Sequence, residues 1–357
     1  MTQLYDVIET TIFNFESGSV PKQNQTPSSK IKIMPRNWHP RSPNPTRRYM
    51  SVDGAFNPKP SILERIARRI IPSLNQISSD PLYWRESPPF LNTESQLSAE
   101  RCGIKTDEEF QAHLHRIRNE AWQISQEFSV ARWWFLKSVL LSNPFYGEIR
   151  EQMRSGATIV DLGCGLGQEL RFLRDEGANG SMYGVDVKEG MWDLGARLYD
   201  DAHSELGFRK LDIVDESYPL CEFKDKVDVY LLNDFLSFLG PAVIEKTLTS
   251  IAKASRVGTK VIGWAIGQDG DEESGMKVWG TGGRGTIHNS KTFGMNWRMV
   301  EVVTETKWKI DVKMMEFKDL GFDEMDCEWF GSEVFEDSIA GKPEKLMGLC
   351  FLATRVK

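Results

Sequence analysis

The sequence predicts an α/β fold: a seven-stranded, mostly parallel sheet with an antiparallel C-terminal strand, preceded by a helical N-terminal extension. Two patterns carry this prediction. From residue 156 onward, short β-rich runs at 157–162, 181–187, 227–232 and 259–265 alternate with helical stretches at 168–176, 189–203 and 241–255. Strands alternating with helices form a parallel sheet with helices on both faces. Two later runs, 308–315 and 346–354, read as strands that pair antiparallel, and a weaker third strand precedes Asp212.

The N-terminal elements follow in order. Leu4, Val7, Ile8, Ile12 and Phe13 give residues 1–15 the pattern of a short amphipathic helix. Residues 17–52 hold six prolines, seven Lys or Arg and no acid, too little apolar surface to fold alone, so they read as a linker. Ile62, Ile66, Ile70 and Ile71 mark a helix over 61–74. A stronger helix starts at 106–109, where three acids suit a helix N-terminus, and continues through Phe110, Leu114, Ile117, Ala121, Ile124 and Phe128 at spacings of three or four. Another apolar helix is expected over 132–142. The chain thus divides into a flexible basic Pro/Ser-rich extension (1–60), a helical lid (61–150) and the sheet domain (151–357).

Charge and composition narrow the function. With 44 basic and 51 acidic residues, the net charge of −7 argues against a nucleic-acid partner. No run of about 18 apolar residues is present, so no membrane span is expected. The five cysteines are scattered with no CxxC pair, the usage of an intracellular protein without disulfides or a zinc site. His113 and His115 are two apart, which on a helix points them to different faces and disfavours a metal pair. The start of the chain lacks a basic, apolar leader, and a cytoplasmic location is expected.

The segment Ile159-Val160-Asp161-Leu162-Gly163-Cys164-Gly165-Leu166-Gly167-Gln168-Glu169 runs from a strand through a glycine turn into a helix. Glycines let the backbone approach a ligand closely. A dinucleotide fingerprint would need glycine at 168, where Gln168 stands. Asp161 at the strand end suits a cationic ligand by accepting from an amino group. Asp186, at the tip of the second strand, suits both hydroxyls of a ribose. Asp212 can accept from an adenine amino group, with Ile213 against the ring. Gln168, Val187 and Asn233 complete the expected set. Singly, Asp186 reads equally as a helix cap and Asp212 as a turn residue; their order and spacing describe a site for S-adenosylmethionine. Cys164 reads as a small filler of the turn.

Asp161-x-Gly163-x-Gly165-x-Gly167 resembles the first motif of the class I methyltransferases, which implies their Rossmann-like fold and S-adenosylmethionine as cofactor. The block Ile117-Arg118-Asn119-Glu120-Ala121-Trp122-Gln123, the stretch 165–171, Tyr183-Gly184-Val185-Asp186, His288-Asn289 and Thr306-Lys307-Trp308-Lys309 narrow the resemblance. They are similar to the small fungal methyltransferases of secondary metabolism, which include carboxyl O-methyltransferases of meroterpenoid pathways. The resemblance spans residues 98–357. It implies O-methylation of a carboxylate or phenol on a small hydrophobic polyketide- or terpenoid-type metabolite, with a homodimer left open. C- or N-methylation, and a cofactor-binding fold that catalyses cyclisation or isomerisation, are the alternatives. Two segments depart from the family: Ser125-Gln126-Glu127-Phe128-Ser129 replaces a Pro- and Tyr-containing stretch, and Ser237 stands where relatives carry a His.

A carboxylate acceptor is already ionised and needs no base, whereas a phenol benefits from one; His288 is the candidate, with a structural place at a helix start as its other reading. Trp122, Phe128 and Trp133, with Trp134 and Phe135, are expected to form an apolar lid over the substrate or, equally, ordinary helix core.

Overall fold

The computed structural model describes residues 84–89, 106–201, 205–214, 219–270, 276–279, 285–332, 339 and 344–357. The elements expected at 1–15, 17–52 and 61–74 lie outside these residues. The first helix, α1 (Asp107–Ile124), is capped by Thr106, whose side chain accepts from the Glu109 N–H, and its first turn carries Asp107, Glu108 and Glu109. Its apolar stripe of Phe110, Leu114, Ile117 and Ala121 is buried. An extended break at Ser125 and Glu127 separates it from the single turn α2 (Phe128–Ala131).

The helix expected over 132–142 is not formed. Trp133 adopts a left-handed backbone, φ 66°, and two 3-10 turns follow, Trp134–Leu136 and Leu140–Ser142. Burial explains the difference. Trp133 and Phe135 pack beneath α1, whereas Trp134 turns to a separate aromatic cluster with Phe322, Trp329 and Phe330. Consecutive tryptophans bound for two different cores need a kink between them, and this tertiary demand overrides helix propensity.

After α3 (Gly147–Arg154) the sheet begins. Its strands are β1 (Ile159–Leu162), β2 (Met182–Asp186), β3 (Gly207–Lys210), β4 (Val229–Asn233), β5 (Lys260–Gln268), β8 (Trp308–Met315) and β9 (Leu346–Arg355), in the order β3-β2-β1-β4-β5-β9-β8. The first five pair parallel, and β9 pairs antiparallel with both β5 and β8. A small hairpin, β6 (Lys277–Trp279) and β7 (Gly285–Ile287), stands apart from the sheet. The helices α4 (Gln168–Asp175), α5 (Glu189–Leu198), α6 (Pro241–Ala254), α7 (Ser290–Thr304) and α8 (Glu324–Phe330) connect the strands or follow them.

The strands of the centre are buried on both faces. Leu248, Ile251, Trp297 and Val300 from α6 and α7 cover one, and Ile149, Met153, Leu170 and Leu173 from α3 and α4 the other. The strand order reverses between β1 and β4, and the crevice at the carboxyl ends of those strands is where such sheets bind ligands. No helix among the described residues is long and apolar enough to cross a membrane.

Candidate functional site

The turn after β1 takes three left-handed residues in five: Gly163 (φ 71°), Gly165 (φ 52°) and Gly167 (φ 71°). Each glycine answers a different demand. A Cβ on Gly163 would stand 2.3 Å from the Phe235 ring, and one on Gly167 would stand 2.6 Å from both Trp192 and Arg171. A Cβ on Gly165 would meet nothing within 4 Å. Gly163 and Gly167 therefore serve packing, and Gly165 is the residue that leaves backbone open to a ligand. Gly163→Ala is expected to cost about 2–4 kcal/mol, the left-handed penalty plus the clash. Gly165→Ala carries only the backbone part, about 1–2 kcal/mol. Denaturant titration of the two variants checks the difference.

The loop borders a cavity of about 450 Å³. Of the residues expected from sequence, Gly163, Gly165, Gln168, Asp186, Val187, Asp212, Ile213 and Asn233 line it. Asp161 and Gly167 do not. Asp161 is buried beneath the loop, where desolvation, then the charges of Glu169 and Asp186, hold its carboxyl well above the usual range. Cys164 fills the turn as expected, its thiol pushed up chiefly by burial.

Asp186 accepts from the Gly165 N–H at 3.0 Å and the Lys188 N–H at 2.9 Å. Burial raises its carboxyl, and these two donors pull the other way. Each carboxylate oxygen has a second lone pair for a further donor. Asp212 accepts from the Val214 N–H at 2.9 Å, a turn that fixes its side chain at the end of β3. At the end of β4, Asn233 has both side-chain polar atoms buried without a partner, as has Oε1 of Gln168.

Sequence patterns missed three features. Arg171 is buried behind the loop, donating to the carbonyls of Leu166 (2.6 Å) and Gly167 (3.2 Å) and, bidentately, to Asp201 (2.8 and 2.9 Å). Lys188 Nζ reaches Ser125 Oγ and Glu127 Oε1, both at 2.6 Å, fastening the break after α1 to the loop of Asp186. Glu169, on α4, holds the Ser138 hydroxyl and the Val139 N–H. Two anchors thus tie the segment 125–139 to the elements that carry the glycine loop and Asp186.

His288 lies outside the cavity wall, which corrects its expected place beside the acceptor. It is buried, with Nδ1 3.2 Å from Thr292 Oγ1 and Nε2 3.2 Å from Asn296 Nδ2, just before Asn289 caps α7. Burial lowers its pKa to about 4. A histidine that stays neutral in the fold but charges below about 6.5 when unfolded removes stability as pH falls from 6.5 towards 4, about 3 kcal/mol in all. His288→Gln should lose that much less between pH 7 and pH 4 in denaturant titrations.

The aromatic lid is corrected in part. Trp122 stacks edge-on to Trp84, Trp133 is fully buried with its Nε1 donating to the Arg85 carbonyl, and Phe128 packs on Trp329; none of the three lines the cavity. Trp134 and Phe135 do.

Residues 159–258 match a family model described as a methyltransferase domain. Over 216 residues the chain is 29% identical to the O-methyltransferase phiE of Fungal sp. (strain ATCC 74256), an alignment that takes in 58% of this chain and 70% of the relative. It is 26% identical over 245 residues to the O-methyltransferase atr3 of Stereocaulon alpinum, covering 67% and 70%. Over 90 residues it is 37% identical to the asnovolin E/chermesin D methyltransferase nvfJ of Aspergillus novofumigatus, covering 25% and 32%. Domain match, relatives and the strand order with its glycine turn agree: the chain is a class I S-adenosylmethionine-dependent methyltransferase.

Proposed function

We propose that the protein methylates an oxygen, phenolic or carboxylic, of a small hydrophobic polyketide- or terpenoid-type secondary metabolite. One observation carries this reading. The cavity that takes in Gly165 and Asp186 also has an apolar wall of Trp134, Phe135, Phe238, Leu239 and Trp264. Apolar walls with few polar groups suit a hydrophobic small molecule rather than a nucleic acid or a peptide. The names of phiE and atr3 support oxygen as the acceptor atom.

The residues present fit S-adenosylmethionine. Gln168 Oε1 and both polar atoms of Asn233 are buried and await partners, and the open space at Gly165 admits a ligand against the backbone. Asp186 would accept from the ribose hydroxyls, Asp212 and Ile213 would hold the adenine, and Gln168, Asn233 and the loop would hold the amino-acid end. When bound, the cofactor supplies an electrophilic methyl group on a sulfonium. The protein's part is to orient the acceptor and exclude water, the main sources of rate in a displacement between bound partners. The helical lid over 61–150 would cap this site, its described part bringing Trp134 and Phe135 to the cavity wall.

Incubation with methyl-labelled S-adenosylmethionine and a prenylated aromatic acid tests the reading. Label in an extractable product is expected. Cofactor binding without transfer to any oxygen of such acceptors would overturn it.

A further inference from the structure

We propose that Asp234 is the base that removes the proton from the acceptor's hydroxyl, so that the acceptor is a phenol or enol rather than a pre-ionised carboxylate. This rests on the O-methylation reading above. Asp234 follows β4 directly, next to Asn233, and lines the cavity together with Phe235, Phe238 and Trp264. Its N–H donates to the Trp264 carbonyl at 2.9 Å, and its backbone sits in the left-handed region, φ 53°. That conformation costs free energy in any residue but glycine, although Asp and Asn bear it best. Both carboxylate oxygens are buried, and the Ser237 hydroxyl interacts with the carboxyl. The fold therefore holds a buried acid at the cavity wall at a cost in backbone conformation and in desolvation.

The other cavity acids each accept from a backbone N–H or pair with a lysine. Glu127 pairs with Lys188, Glu169 holds Ser138 and Val139, Asp186 takes two backbone N–H groups and Asp212 takes one. His288 is walled off by Thr292 and Asn296. Burial lifts the Asp234 carboxyl to about 8; the Ser237 hydroxyl offsets part of that, and the charge of Glu127, itself paired with Lys188, adds to it. Such a group is a far stronger base than an ordinary carboxylate and close in affinity for protons to a phenol of pKa about 10.

The step balances. The acceptor O–H bond breaks and its proton passes to an Asp234 oxygen. The acceptor oxygen's electron pair forms the new bond to the methyl carbon, and the carbon–sulfur pair returns to sulfur. The opposite arrangement, a protonated Asp234 donating to an acceptor carboxylate, has the opposite pH dependence and tolerates Asn, which also donates.

The test uses 4-hydroxy-3-prenylbenzoic acid, which offers both a phenol and a carboxylate, with methyl-labelled cofactor. The expected product is the alkali-stable methyl ether, formed at a rate that rises with pH to a plateau above about 8. Asp234→Asn should lower ether formation by at least about 100-fold. The dissociation constant of the cofactor, by calorimetry, should move less than about threefold. In the acceptor-free protein, the infrared carboxyl band missing from Asp234→Asn should titrate near 8. Label in the alkali-labile ester, a rate that falls with rising pH, an Asp234→Asn variant as active as the wild type, or titration of the band in the ordinary carboxylate range would each overturn the base while leaving methylation intact. Label in neither group would overturn both.

Discussion

Asp186→Ala is expected to weaken S-adenosylmethionine binding by at least about 100-fold, equivalent to about 3 kcal/mol, measured by calorimetry. Two losses add. The carboxylate that would receive the ribose hydroxyls is gone, and the Gly165 and Lys188 N–H groups it holds at 3.0 and 2.9 Å lose their acceptor. Asp186→Asn keeps one acceptor oxygen and should fall between. Folding is expected to change little in either variant. Burial already raises this carboxyl above its ordinary range, so its ionised form is not a source of net stability at neutral pH. Unchanged cofactor affinity in Asp186→Ala would remove the carboxylate from the site.

Arg171→Met should produce the largest loss of stability, about 3–5 kcal/mol, seen as a fall in Tm on the order of 10 °C. Arg171 is 1% exposed, and its partner Asp201 has a side chain only 8% exposed. Breaking the pair leaves a carboxylate with Arg174 at 3.2 Å as its remaining partner, and two loop carbonyls without their donor. Because those carbonyls belong to Leu166 and Gly167, cofactor affinity should fall with stability. Combining Arg171→Met with Asp201→Ala should recover part of the stability, since no charge is then left buried alone. If the double variant is less stable than either single one, the pair acts through packing of Arg171 on Trp192 and Tyr199 instead.

The strands, the glycine turn and its acids are legible because each is a local signal. Alternation of apolar runs marks β1, β2, β4 and β5, and a turn made of three near-consecutive glycines names its own backbone. The pair 308–315 and 346–354 was likewise legible from its runs, and both appear as β8 and β9. What escaped depends on partners distant in sequence. Arg171 follows a leucine on an amphipathic helix, and its burial is decided thirty residues later by Asp201. Trp133 and Trp134 look like one helical stripe until their separate cores are known. His288 looks like a base because its type permits one; only packing shows that Thr292 and Asn296 take both ring nitrogens. Asp234 hides inside an apolar run, where a lone acid carries no periodic signature.

The two anchors on segment 125–139 bear on the order of events in turnover. One is Lys188, two residues from Asp186; the other is Glu169, two residues from Gly167. Neither end of the segment swings away without pulling on the loop of Asp186 or on α4. Movement of this segment to admit an acceptor would therefore disturb the residues proposed to hold the cofactor, which favours an order with the cofactor bound before the acceptor and released after the product.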